Sequence, residues 1–215
     1  MKIESISLKN FRCFGDTTTT IALDEITTLI GPNGAGKSAA LLALCRLFGT
    51  TQRGLRRADF HVPPLAAGQA PPKTISLAID LRLNFPELVP GAQGGAAVPQ
   101  CFRQMAIDRT GGVPFCRVRL EATWSATNLA DGEIEEHLWW VRSNDEVPQE
   151  DHRTEFKGRD RGLIHVTYIP AARDPSQQIK AARARASQSV EIQEYFQDGP
   201  DGDRQRALRY FGLEN

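Results

Sequence analysis

The residues best suited to chemistry are Gly31, Pro32, Asn33, Gly34, Ala35, Gly36, Lys37 and Ser38, which fit the spacing G-x-x-x-x-G-K-[ST] at every required position. A polyphosphate needs several backbone N–H donors converging on it. Glycines allow the tight curve and close approach that a Cβ would block. Lys37 is suited to neutralise the β- and γ-phosphates, and the Ser38 hydroxyl to complete the shell of a Mg²⁺ ion. A helix opening near Lys37 would aim its positive end at the β-phosphate. The expected nucleotide contacts are therefore Gly31, Asn33, Gly34, Ala35, Gly36, Lys37, Ser38 and Ala39. Lys37 and Ser38 carry the catalytic roles, Ser38 is the metal ligand, and ATP and Mg²⁺ are the cofactors.

The neighbouring elements suit such a loop. Ile26–Ile30 reads as a strand running directly into it, and Ala39–Phe48 as a helix buried on most sides through Leu41, Leu42, Ala43, Leu44 and Leu47, closed by Gly49. Upstream, Met1–Leu23 reads as two short strands joined at Gly15-Asp16. Downstream of a polar connector, Arg53–Pro72, residues 75–85 alternate as an amphipathic strand with one covered face. Pro86–Pro99 is a Gly, Ala and Pro-rich loop. Cys116–Trp124 and Ile134–Val141 form an antiparallel pair across Asp131-Gly132, with Trp139 and Trp140 on opposite faces. Ser143–Gly162 reads as a charged loop and Leu163–Ile169 as a last short strand. Asp174, Pro175 and Gln177 then predict a helix from Pro175 to about Phe196, with a second over Arg204–Phe211.

Composition sets the class. The chain has 215 residues, 40% hydrophobic and 24% charged, with 26 basic and 26 acidic side chains, enough for one good core. The balance excludes a strongly basic whole-chain footprint for nucleic acid. No apolar stretch approaches the roughly 20 residues of a membrane span, and the N-terminus has no secretory pattern, so no membrane partner is expected. Cys13, Cys45, Cys101 and Cys116 lack metal-site spacing and read as reduced thiols in a cytoplasmic protein. His61, His137, His152 and His165 are scattered, and His165 reads as core packing.

The first fifty residues carry more than a generic loop. The opening strand ending in Lys9-Asn10-Phe11-Arg12, the G-P-N-G-A-G-K-S loop and the stretch Tyr168-Ile169-Pro170-Ala171-Ala172-Arg173-Asp174-Pro175 together resemble ATPase heads of the SMC and RecF type. They are most similar to the ATP-dependent endonucleases of the OLD (overcoming lysogeny) family, over most of 1–185. The resemblance implies that Asn10 and Arg12 lie near the nucleotide, although an Asn and Arg ending an edge strand would read equally well. It also implies a signature Ser-Gly motif, a Walker B strand ending in Asp-Glu and a switch histidine in a C-terminal half, none of which is evident here. Asp80 is followed by Leu81 and belongs to an alternating strand, so it is a poor Walker B acid. Asp24-Glu25 stands at the wrong end of its strand. The OLD nuclease centre lies in a Toprim domain, so nuclease activity is not expected from this chain alone.

The fold class is therefore α/β: an N-terminal P-loop NTPase lobe of ABC-ATPase type over 1–172, with an antiparallel β-subdomain and a helical C-terminal tail over 173–215. The functional expectation is ATP binding as the Walker A part of an OLD-like ATP-dependent DNA endonuclease, with hydrolysis completed by the C-terminal half. The chain then arrives as a truncated product or one piece of a split protein. The competing expectation is a truncated or stand-alone nucleotide-binding regulatory module that never turns over, and a third is a complete small NTPase with an unrecognised acid. Expected partners are nucleotide, DNA through the full-length enzyme, and a second copy or a C-terminal ATPase/Toprim part. Arg173, Lys180, Arg183 and Arg185 offer a DNA-backbone contact or a solvated helix face, and Ile179, Ala182, Ala186, Val190 and Tyr195 form an apolar stripe on the same helix.

Overall fold

A computed structural model describes residues 1–49, 54–66, 68–89, 105–107, 112–128, 131–161, 164 and 166–168. Met1–Tyr168 forms one compact unit. Both expected tail helices and the boundary at 172 lie outside the described residues.

Six strands make a single sheet in the order β2-β1-β3-β4-β5-β6. They are β1 (Lys2–Lys9), β2 (Thr19–Ala22), β3 (Thr74–Asn84), β4 (Phe115–Ser125), β5 (Glu133–Val141) and β6 (Arg153–Glu155), and α1 (Lys37–Phe48) falls between β2 and β3. Every pairing is antiparallel, with Ile6 opposite both Ile21 and Leu81, Ile79 opposite Leu120, and Leu120 opposite Leu138. Because side chains alternate across a strand, this register puts Ile6, Leu8, Ile79, Leu81, Val118, Leu120 and Trp140 on one face. That face and Ala39, Ala40, Ala43, Leu47 and Phe48 of α1 belong to one buried cluster, joined by Phe11, Phe60 and Phe156. Each large apolar side chain so buried contributes roughly 1.5–3 kcal/mol.

The β1–β2 hairpin, the helix after the phosphate loop and the pairing of β4 with β5 match expectation, and Trp140 is buried while Trp139 is half-exposed. Three expectations do not hold. Residues 26–30 are not a strand: they pair with no strand among the described residues, and Ile26 and Ile30 are 89% and 91% exposed. A β-branched run becomes a strand only beside a partner, and the described residues give it none. The last short strand expected over 163–169 is likewise absent among described positions 164 and 166–168, whereas the supposed loop before it supplies β6, paired at Trp139, Trp140 and Val141. Three ladder positions without apolar alternation leave little signal in sequence. The third concerns β3, which is covered on both faces from Leu77 to Leu83 because arginines of β4 and the segment 143–147 lie over its polar side.

Candidate functional site

The phosphate loop leaves its exposed lead-in at Gly31 and turns twice through left-handed glycines. Gly34 has φ 86° and Gly36 φ 90°, values that cost an L-residue with a side chain about 1–2 kcal/mol. Ala35 N–H donates to the Pro32 carbonyl at 3.2 Å, closing the turn. Helix α1 then begins at Lys37, with Gly36 in the cap position, no side-chain cap and no acid in its first turn. Uncapped first-turn N–H groups and the positive end of the helix are what an anion seeks. Ala40 N–H is the first to be met within the helix, by Gly36 O at 2.9 Å. The Lys37 ammonium folds back over the loop, donating to the carbonyls of Gly31 (2.6 Å) and Pro32 (2.8 Å). Ser38 is exposed. Gly31, Asn33, Gly34, Ala35, Gly36, Lys37, Ser38 and Ala39 thus lie in one continuous turn and helix start. Those donors, the open backbone at Gly34 and a cation that can exchange loop carbonyls for phosphate oxygens fit a magnesium-bound nucleoside triphosphate.

A second piece of chain walls this loop. A Cβ at Gly36 would sit 2.9 Å from Cys13 Sγ and 2.9 Å from Phe14 Cζ, so the turn after β1 packs directly on the glycine that opens α1. That turn is strained: Asn10 and Arg12 hold φ 52° and 53°. Non-glycine residues in this region cost about 1–3 kcal/mol each and persist only where the surroundings dictate them. The dictation is visible. Asn10 N–H bonds Gly15 O (2.7 Å), the Asn10 carboxamide donates to Ser76 O (2.9 Å), and Phe14 N–H donates to Phe11 O (2.9 Å). From the other side, Arg12 N–H donates to Asp59 O (2.8 Å), His61 N–H to Asn10 O (2.9 Å), and His61 Nδ1 lies 2.7 Å from Arg12 O. Accepting that last bond at the carbonyl puts the imidazole proton on Nδ1.

Asn10 and Arg12, for which the resemblance implied a place near the nucleotide, belong to the turn that carries Cys13 and Phe14, and their side-chain hydrogen bonds go to protein. Arg12 Nε donates to Asp59 Oδ1 at 2.8 Å. The other Asp59 oxygen receives Arg46 of α1 through Nε (2.9 Å) and Nη2 (2.8 Å), and the backbone N–H of Arg56 (3.0 Å). Asp59 is fully buried and Arg46 nearly so. Next to it, burial pushes the Cys45 thiol above its ordinary range, against the opposing field of Arg46. Sequence reading missed Cys13, Phe14, Asp59 and His61. One signal was available: Arg46 sits among Leu44, Leu47 and Phe48 on a helix with little polar surface, and a buried guanidinium requires a carboxylate.

Asp80 has a different task from general base. It is bound by Arg117 Nη2 (2.8 Å) and by Arg119 on the polar face of the sheet, and those arginines also donate to the carbonyls of Ser143, Asp145 and Glu146. Asp24 and Glu25 are exposed and face Lys2 at 3.7 and 3.2 Å. Among the described residues no three His, Cys, Asp or Glu gather as a metal site, and no helix is long and apolar enough to cross a membrane.

The AAA ATPase domain family matches residues 1–108. The zinc import ATP-binding protein ZnuC of Ruegeria pomeroyi is 32% identical over 126 residues, 54% of this chain and 47% of that protein. The chromosome partition protein Smc of a Synechococcus species is 44% identical over 57 residues, 26% of this chain and 5% of that protein. The chain thus spans less than half the length of either relative. A solved chain of an SMC ATPase aligns over 96% of this chain and 90% of its own at 16% identity, with a TM-score of 0.40, a likeness too loose to assign a fold.

Proposed function

Because the chain belongs to the AAA ATPase domain family, we propose that it binds ATP with Mg²⁺ through Gly31–Ser38 as the Walker A part of an OLD-like, DNA-acting ATP-dependent endonuclease. One observation carries the reading: a left-handed glycine opens α1 with neither a side-chain cap nor a first-turn acid, and the Lys37 ammonium lies over the same loop. When bound, the magnesium ion draws charge from the β- and γ-phosphates. In this assignment Ser38 would supply its hydroxyl ligand, Lys37 would exchange the carbonyls of Gly31 and Pro32 for phosphate oxygens, and the N–H groups of Gly34 and of Gly36 to Ala39 would orient the chain of phosphates. Asn10 and Arg12 shape the adjoining wall.

Hydrolysis then needs a general-base acid and a signature motif from a C-terminal half or from a second head, together with the Toprim part for DNA cleavage. Among the described residues the segment Ile26–Ile30 pairs with no strand, and Ile26 and Ile30 face solvent, which supports a pairing partner supplied from elsewhere. The test is binding and turnover of ATP with Mg²⁺ by the 215-residue chain beside Lys37→Ala. Binding lost in Lys37→Ala without turnover supports the half-enzyme. Turnover abolished by Lys37→Ala places a catalytic acid within this chain and overturns that part of the reading, while binding unaffected by the substitution overturns the site.

A further inference from the structure

We propose that Asp59 is a positioning residue: its buried carboxylate locks the left-handed turn at Asn10–Phe14 to helix α1, and so fixes the wall that Cys13 and Phe14 present to Gly36. The inference rests on the nucleotide-binding reading of the loop. Three separate pieces of chain meet at this one side chain. Oδ1 takes Arg12 from the turn, Oδ2 takes Arg46 from the helix that the phosphate loop opens, and Oδ2 also takes the N–H of Arg56 from its own segment. The backbone repeats the attachment at Asp59 and the two residues after it, through Arg12 N–H to Asp59 O, the bridge of Phe11 with Phe60, and His61 N–H to Asn10 O.

A purely stabilising ion pair would not need this arrangement. The residues it fixes carry φ values that relax once released, and their neighbours touch Gly36, the residue whose conformation starts α1. Arg46 lies at the other end of the same helix, in its last turn and buried, remote in sequence from Lys37. The carboxylate therefore ties the last turn of α1 to the same wall that meets Gly36 at the helix start. Loosening it lets the wall drift from Gly36 and widens the cradle without removing any phosphate-binding group.

The experiment uses the 215-residue chain in a Cys101→Ser background, where Cys13 is exposed and Cys45 and Cys116 are buried. Three quantities are measured for wild type, Lys37→Ala, Asp59→Asn and Arg46→Lys: the urea midpoint, the affinity for a fluorescent ATP analogue with Mg²⁺, and the alkylation rate of Cys13 without nucleotide. Arg46→Lys keeps the charge and loses the two-point hold on Oδ2, and it carries the test if Asp59→Asn does not fold. Leu120→Val, in the sheet core, serves as a control for destabilisation alone. Positioning predicts that folded Asp59→Asn and Arg46→Lys lose about tenfold in affinity and alkylate faster at Cys13, while Leu120→Val does neither. If wild type binds and these variants bind within about twofold with an unchanged Cys13 rate, or if Leu120→Val matches them, the positioning role is wrong and the nucleotide site stands. If wild type itself does not bind, both readings fall.

Discussion

Replacing Gly36 by alanine tests the site at its tightest point, and the structure supplies its own control. At φ 90° a Cβ costs about 1–2 kcal/mol in backbone strain. The same Cβ meets Cys13 Sγ and Phe14 Cζ at 2.9 Å, an overlap that forces neighbours to move at a further 1–3 kcal/mol or so. Gly34 has a similar φ of 86° but nothing within 4 Å of its virtual Cβ, so Gly34→Ala carries the strain alone. The expected loss is therefore about 2–5 kcal/mol for Gly36→Ala and about 1–2 for Gly34→Ala. With a urea slope near 2 kcal/mol per molar, the midpoints fall by about 1–2.5 M and 0.5–1 M. Should the loop yield instead of the fold, the same energy appears in ATP affinity at about 1.4 kcal/mol per tenfold. Urea unfolding and titration with a fluorescent ATP analogue together capture either route. Equal effects of the two substitutions on both measurements would refute the claim that the Cys13–Phe14 turn walls the loop.

Asp80→Asn should lower the urea midpoint by an amount equivalent to roughly 2–4 kcal/mol, because Arg117 and Arg119 lose a buried counter-charge, yet leave ATP affinity within about twofold; a large affinity loss at unchanged stability would return Asp80 to the catalytic candidates. The Glu146 carboxyl titrates below the usual carboxylate range, held there by the Thr18 hydroxyl (2.7 Å) and then by Lys9 (3.1 Å). A depressed folded pKa contributes stability that is complete above about pH 5.5 and is lost as pH falls through the folded value. The stability gap between wild type and Glu146→Gln should therefore close on acidification in pH-scanned urea unfolding, and a gap that grows toward low pH contradicts the pairing. Ile26→Ser and Ile30→Ser should each change the stability of this chain by no more than about 0.5 kcal/mol, given their exposure. A loss of several kcal/mol in thermal unfolding would mean that the segment is paired after all.

What could be read in advance depended on whether a residue's partner lies close in sequence. The phosphate loop is a local object: Gly34, Gly36 and Lys37 dictate its turns by backbone preference within eight residues, so motif and geometry coincide. The same holds for β4 and β5, whose alternation and Asp131-Gly132 turn fix their register. The wall of the loop was not legible, because it arises from Asp59 meeting Arg12 and Arg46 across 47 and 13 residues. Nothing in the polar connector around Asp59 is periodic. Ile26–Ile30 failed for the opposite reason, since its composition is right for a strand and no strand among the described residues lies beside it.

These two misses bear on each other. The phosphate loop would ordinarily draw rigidity from a paired strand before it and a packed helix after it, and here the strand side has no partner among the described residues. Helix α1 is nevertheless anchored in the sheet cluster through Ala43, Leu47 and Phe48. The remaining constraint on Gly36 comes from the turn that Asp59 ties down. An ATP-binding loop with one supported flank would keep its curvature through the two glycines yet bind weakly, because part of the binding energy goes to ordering the free flank. Pairing of 26–30 with further chain would remove that cost. Nucleotide affinity and lobe completion would then be coupled reciprocally: whatever strand completes the lobe should tighten ATP binding, and ATP should tighten the hold on that strand by the same factor.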